Sequence, residues 1–139
     1  MNRIIATRIL FGAAALYDGL LGLAFLLAGG AVFAGFGVAP PNHVGYVQFP
    51  AALLVVFALM FAAIARRPLE NRGLIPYGAL LKVSYCGVVF WHWARTGIPS
   101  MWKPFAIADL LFLICFLLAY AGLAGKRESA AQSARHPAD

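Results

Sequence analysis

Four long apolar segments and the connections between them make up most of this 139-residue chain. The segments cover residues 9–28, 47–65, 74–93 and 105–123. Each is close to the roughly 20 apolar residues that one transmembrane helix requires. Inside a bilayer every backbone polar group needs a partner, so apolar segments of this length cross it as helices. The sequence therefore predicts an all-α fold, a four-helix transmembrane bundle that occupies residues 1–124.

The composition excludes several other classes of protein. Hydrophobic residues make up 63% of the chain and charged residues only 12%, against about 25% charged residues in a typical soluble domain. A soluble enzyme, a disordered protein and a nucleic-acid-binding module are all excluded on this ground. The exception is residues 125–139, which are small, polar and charged and are predicted to form a disordered tail.

The distribution of Lys and Arg predicts how the bundle is oriented. The net charge is +6, and most cations lie in the N-terminus, the 66–73 hairpin and the tail, whereas the other two connections hold only Arg95 and Lys103. Cationic connections favour the cytoplasmic side. We therefore expect both termini to be cytoplasmic, in a multi-pass protein of the cell inner membrane.

Three charged residues, Asp18, Lys82 and Asp109, interrupt the apolar segments. Each costs about 2.5–3.5 kcal/mol at the centre of a bilayer, so such residues face the bundle interior and pair. At about 1.5 Å per residue, Asp18 and Lys82 lie roughly 13 Å and 12 Å from the same membrane face. The sequence thus predicts an Asp18–Lys82 ion pair between the first and third helices, with either a packing role or a functional one.

A second polar group is predicted in the outer half of the membrane. Asp109 lies only about 6 Å from the outer start of its span, at the expected depth of His92 and Gln48. Lys82, Tyr85 and His92 also share one face of the third helix. We therefore expect these side chains to line a polar cleft that connects the middle of the membrane with its outer surface.

Small residues and one asparagine give two further expectations. Gly12, Ala15, Gly19 and Gly22 recur at three- and four-residue steps, which allows close helix packing within the chain or, alternatively, along a dimer seam. Asn71 precedes the third segment and is predicted to be its N-cap.

Motifs that would indicate catalysis or a cofactor were not found. The sequence contains no H-E-x-x-H, G-x-S-x-G or phosphate-binding glycine loop. Cys86 and Cys115 do not form a C-x-x-C pair, which disfavours a thiol relay. No cluster of Cys, His and carboxylate residues indicates a metal site. The sequence therefore assigns no catalytic residue, no metal and no cofactor.

A set of short motifs resembles a known kind of protein. They are Arg8, Phe36-Gly37, Pro40-Pro41, Tyr46-x-x-Phe49, Asn71-Arg72-x-Leu74-Ile75, Lys82 and Asp109-Leu110. Over residues 8–123 the chain resembles small, uncharacterised bacterial four-helix membrane proteins and is loosely DoxX-like in size and helix layout. The resemblance to DoxX-type proteins implies an association with quinone-linked oxidoreductase complexes. The uncharacterised kind implies no activity.

Three functions stay open at the level of the sequence. The first is a non-catalytic bundle that binds a small amphipathic, lipid-like or quinone-like molecule, or a membrane protein partner, in its polar cleft. The second is a small ion- or proton-coupled transporter or channel that works as a homo-oligomer, with the embedded charges as its path. The third is an intramembrane enzyme that uses Asp109 or His92 as acid or base.

Overall fold

The computed structural model describes the backbone of residues 2–135 and the side chains of residues 2–124. Within this part the fold is all-α, with four long helices. They are α1 (Arg3–Gly35), α2 (Gly45–Arg66), α3 (Ile75–Arg95) and α4 (Trp102–Arg135). Each contains a stretch long and apolar enough to cross a bilayer. The predicted four-helix transmembrane bundle is therefore confirmed.

The helices run alternately up and down and pair as two hairpins. We call the end with Arg3 and the 67–74 connection the terminal end, and the end with the 36–44 and 96–101 connections the connector end. α1 packs extensively on α2, and α3 packs on α4, whereas α2 and α3 contact each other only sparsely. The interior between the two hairpins is consequently where buried side chains from all four helices can meet.

The first helix is longer than the sequence predicted. The first apolar segment ends at residue 28, but α1 continues to Gly35 and bends where Ala28 leaves helical geometry, with φ −135° and ψ 27°. The glycines after the bend do not end the helix because its backbone hydrogen bonds continue. α1 ends at Gly35, and Gly37, just beyond it, has φ +64°, a left-handed conformation that glycine adopts without steric cost.

Two glycines bring α1 and α2 into close contact. A Cβ atom on Gly22 would lie 2.8 Å from the carbonyl oxygen of Ala51, and one on Gly19 would lie 3.5 Å from the Cβ of Ala58. A Cβ on Gly12 would meet nothing within 4 Å. The small face predicted on the first helix is therefore used for packing within the chain at Gly19 and Gly22, and not at Gly12.

The connection between α2 and α3 corrects the prediction for Asn71. Its side chain does not cap the third helix. Instead the amide nitrogen donates to the carbonyl oxygen of Ala63 at 2.8 Å, so it satisfies a carbonyl in the last turn of α2. A 3-10 turn, Arg72–Leu74, leads directly into α3.

The start of α4 lies below the surface of the connector end. The connection from α3 turns at Gly97, which has φ +78°, and then enters the bundle at Met101, which is 1% exposed. Met101 packs with Phe25, Phe33 and Ala51. α4 then begins at Trp102, three residues before the predicted start of the fourth segment.

Two apolar clusters fill the bundle, one towards each end. The cluster at the terminal end centres on Phe11, Phe61 and Phe116, all fully buried, with the rings of Phe11 and Phe116 stacked at 4.5 Å between centroids. The cluster at the connector end centres on Phe25, whose ring stacks on Trp102 at 5.8 Å. The level between them contains the charged residues.

The outer surface of the helices is apolar, as a bilayer environment requires. Large hydrophobic side chains are exposed along every helix, among them Leu16, Leu20, Leu27, Val56, Leu59, Leu80, Val88, Leu111, Leu117 and Leu118. In water, so much exposed apolar surface would cause association. These exposed apolar faces therefore fit a multi-pass membrane protein.

The fourth helix continues beyond the predicted end of its span at residue 123. Its backbone is helical as far as Arg135, in a stretch rich in Ala, Lys, Arg, Glu and Gln, which are strong helix formers. Residues 136–139 lie outside the described residues. The order of the tail in solution therefore stays a prediction.

Candidate functional site

The three embedded charges meet in one cluster at the centre of the bundle. The Lys82 ammonium from α3 donates to both carboxylate oxygens of Asp18 on α1, at 2.8 and 2.9 Å. It also donates to Oδ1 of Asp109 on α4 at 2.8 Å. Asp18 and Lys82 are 0% exposed, and Asp109 is 6% exposed. The Asp18–Lys82 pair is thus where the sequence placed it, with Asp109 as a third member.

Aromatic rings surround the ammonium group on its remaining sides. The Nζ atom of Lys82 lies 5.4 Å from the ring centroid of Tyr17, 5.5 Å from that of Phe112 and 5.8 Å from that of Phe61. Ring faces attract cations at such distances. The ammonium has three N–H donors, and all three are used by carboxylate oxygens. Lys82 is therefore fully satisfied, so it has no free donor for a ligand.

The carboxylates of the cluster, by contrast, do not have all of their oxygens hydrogen-bonded. Of the four carboxylate oxygens, Oδ2 of Asp109 is the one that receives no hydrogen bond from Lys82. The hydroxyl of Tyr17 is buried and has no hydrogen-bond partner among the described residues. One acceptor and one hydroxyl are thus left over beside a saturated cation.

A cavity of about 590 Å³ begins at this cluster and extends towards the connector end. Its walls come from all four helices, the 38–41 segment and Pro99. Tyr17, Asp18, Tyr85 and Asp109 give polar groups at the end near the cluster, whereas the other walls are almost entirely apolar. The volume falls within the range typical of small-molecule sites, about 300–1,000 Å³.

The cavity also reaches the surface. Tyr46 and Leu53 on α2 both line it, and they are 69% and 41% exposed. Leu81 and Tyr85 line the cavity from α3, the helix that α2 contacts only sparsely. The side of the cavity between α2 and α3 therefore faces the lipid-exposed surface of the bundle.

The opposite end of the cluster is closed by the apolar cluster at the terminal end. Phe11, Phe61 and Phe116 lie between the charges and that end of the bundle, and none of them is exposed. Beyond this layer, Arg72 donates to the carbonyl oxygen of Tyr120 at 3.1 Å and lies over its ring. The charged cluster therefore adjoins the cavity on the side of the connector end, and an apolar layer separates it from the terminal end.

The structure separates the second polar group that the sequence predicted. Asp109 contacts Lys82 and not His92 or Gln48, which are both exposed. The imidazole of His92 lies 3.5 Å from the hydroxyl of Thr96 on its own helix. α4 begins at Trp102 and not at residue 105, so Asp109 lies seven residues, about 10 Å, into the helix, where it reaches Lys82.

Tyr85 both contributes to helix packing and lines the cavity. Its hydroxyl donates to the carbonyl oxygen of Trp102 at 3.2 Å, and its ring lines the cavity. It thus fixes the start of α4 against α3. A ligand-binding role for Tyr85 stays a prediction.

The walls of the cavity include residues that the sequence did not point to. Val38 and Pro41 line it although they lie in the connection after α1, where no pattern distinguishes a wall from a surface loop. Phe25 lines it from within an apolar segment, and Phe33 and Trp102 line it from just outside the predicted segments, so composition gives no signal for any of the three. No group of three or more His, Cys, Asp or Glu side chains is placed to hold a metal within the described part of the chain.

Comparison with known proteins adds no relative. No family model, no curated protein and no solved structure matches this chain. The functional argument therefore depends on the geometry of the charged cluster and of the cavity.

Proposed function

We propose that this protein is a non-catalytic integral membrane protein that binds a small amphipathic molecule in the cavity between its two helix hairpins. The observation that carries the proposal is the 590 Å³ cavity, with apolar walls and with polar groups gathered at its inner end. Such a cavity suits a molecule with one polar head and one apolar tail, and its exposed side between α2 and α3 suits a molecule that arrives from the bilayer. Lipid-like and quinone-like molecules both have this shape.

The distribution of Lys and Arg supports an orientation with both termini in the cytoplasm, and the motif resemblance supports a bacterial inner-membrane protein that is DoxX-like in layout. The association of DoxX-type proteins with quinone-linked complexes makes a quinone one member of the ligand class. A membrane protein partner at the lipid-facing surface is compatible with the same proposal.

Native mass spectrometry of protein extracted with its surrounding lipid tests the binding proposal. We expect a bound amphipath of a few hundred daltons to be retained. Leu54→Trp, on the cavity wall, fills part of the cavity and should abolish retention. Leu59→Trp is the matched control, since Leu59 lies on the same helix and is 68% exposed on the outer surface. Absence of any retained molecule from the unsubstituted protein, or equal retention by the two variants, contradicts the proposal.

A second candidate function is ion- or proton-coupled transport, which the cluster of Asp18, Lys82 and Asp109 favours because ionisable residues within a membrane mark transport paths. The buried layer of Phe11, Phe61 and Phe116 closes the path on one side, so transport requires this layer to repack or a homo-oligomer to supply another route. Flux into liposomes tests it, with Asp18→Asn and Lys82→Met as variants. Flux that both variants leave unchanged contradicts transport through this cluster.

A further inference from the structure

The polar end of the cavity holds two carboxyl groups and one ammonium group. With all three side chains ionised, Lys82 contributes one positive charge and Asp18 and Asp109 one negative charge each. Lys82 has no N–H left to donate, because it donates to three of the four carboxylate oxygens. In that state the cluster has one uncompensated negative charge, in surroundings of low dielectric constant where such a charge is costly unless a proton or a cation compensates it.

The fourth carboxylate oxygen marks where that charge can be compensated. Asp109 lines the cavity, its side chain is 9% exposed, and its Oδ2 receives no hydrogen bond from the described residues. Asp18, by contrast, has both oxygens occupied by Lys82. A ligand in the cavity therefore meets Asp109 Oδ2 as the free acceptor, with the unpartnered hydroxyl of Tyr17 also lining the cavity.

We propose that the cavity selects amphipaths whose head group is a cationic hydrogen-bond donor, an alkylammonium in the simplest case, and discriminates against anionic head groups. This inference rests on the proposed function. The ammonium donates to Asp109 Oδ2 and neutralises the cluster, while the tail lies along the apolar walls towards Phe25 and Trp102. A carboxylate or phosphate head at the same place adds a second uncompensated negative charge and finds no free cation there.

Fluorescence of Trp102, which lines the cavity, gives a direct readout. Trp91 and Trp93 lie outside the cavity, so a Trp91→Phe/Trp93→Phe background leaves Trp102 as the reporter in nanodiscs of zwitterionic lipid. The probes are three molecules with the same brominated twelve-carbon tail and different heads: a primary ammonium, an alcohol and a carboxylate. Saturable quenching, plotted against the mole fraction of probe in the bilayer, measures binding in the cavity apart from unsaturable quenching by bulk lipid.

The ammonium probe should bind at least about tenfold more tightly than the carboxylate probe, since a charge-assisted hydrogen bond is gained in one case and repulsion in the other. Asp109→Asn should reduce this preference to less than about threefold, and Asp109→Glu should retain most of it. The affinities of the three probes for the unsubstituted protein test the head-group preference even if a variant does not fold. Equal or tighter binding of the carboxylate, or of the alcohol, overturns the head-group inference and leaves the cavity as a binding site. No saturable quenching by any probe overturns both proposals.

Discussion

At the scale of single residues, Lys82 determines how two carboxylates can be buried within one bundle. Its ammonium contacts three carboxylate oxygens and lies among three aromatic rings. Breaking a buried ion pair by removing one partner typically costs about 3–5 kcal/mol, because a charge is left without compensation. The three members of the cluster are not equivalent in this respect.

Substitutions in the cluster should lower the free energy of unfolding in a definite order. Lys82→Met leaves two carboxylates close together and should cost about 3–5 kcal/mol. Asp18→Asn should cost less, since one carboxylate still pairs with Lys82. Asp109→Asn should cost least, at most about 1 kcal/mol, because the weaker hydrogen bond to Lys82 is offset by removal of the uncompensated charge, and the neutral Asp18–Lys82 pair keeps both of its contacts. Unfolding in mixed micelles, followed by circular dichroism, measures the order.

The exposed ion pair between Arg67 and Glu70 provides the control for this series. Their side chains are 71% and 66% exposed, and pairs of this kind contribute at most about 1 kcal/mol. Glu70→Gln should therefore change stability by less than about 0.5 kcal/mol. If Lys82→Met is no more harmful than Glu70→Gln, the cluster does not stabilise the bundle.

At the scale of helices, the contact between α1 and α2 depends on the absence of side chains. The Cβ position of Gly22 lies 2.8 Å from a backbone oxygen of α2 and 3.0 Å from Cγ2 of Val55. Backbone cannot move aside as a side chain can. The two helices must therefore separate, or shift along each other, if Gly22 gains a methyl group.

Gly22→Ala should destabilise the protein by about 1–3 kcal/mol, the usual cost of overpacking. Gly12→Ala is the matched control on the same helix, because its Cβ meets nothing within 4 Å. That substitution should be neutral or stabilise by up to about 1 kcal/mol, since alanine favours the helix. Thermal unfolding of the two variants in the same detergent compares them. Equal effects would show that close α1–α2 packing at Gly22 is not required.

At the scale of the whole molecule, the up-and-down topology places Arg3, Gly122 and the 67–74 connection at the same end of the bundle. This end also holds most of the Arg and Lys residues, which is the distribution that favours a cytoplasmic location. The connector end exposes Tyr46, Trp91 and Trp93, as an interfacial aromatic belt does. The fold and the charge distribution are thus consistent with the expected orientation.

Labelling of single cysteines with a membrane-impermeant maleimide tests this orientation. In a background of Cys86→Ala and Cys115→Ala, Ser100→Cys at the connector end should react in intact cells. Glu70→Cys at the terminal end should react only after the membrane is disrupted. Both positions are exposed in the fold, so unequal reaction reports sidedness rather than burial. The reverse pattern would place the termini outside.

Much of the fold follows from the sequence alone. Four apolar segments predict four helices because hydrocarbon leaves the backbone no other way to satisfy its polar groups. The Asp18–Lys82 pair follows as well, since charges at equal depth in neighbouring helices have no better partner than each other. These conclusions need only the length of each segment and the position of each charge within it.

Tertiary structure decided what these local rules leave open. Asp109 joins the central pair because α4 begins at Trp102, before the edge of the apolar segment, and because the rotation of α4 turns Asp109 towards Lys82; hydropathy shows neither. His92 and Gln48 lie on the surface because helix rotation, and not depth alone, determines which residues face inward. The cavity is likewise a property of four helices that pair in twos and leave space between α2 and α3. Polar and apolar residues are visible along a sequence, whereas a space between helices exists only once they are packed.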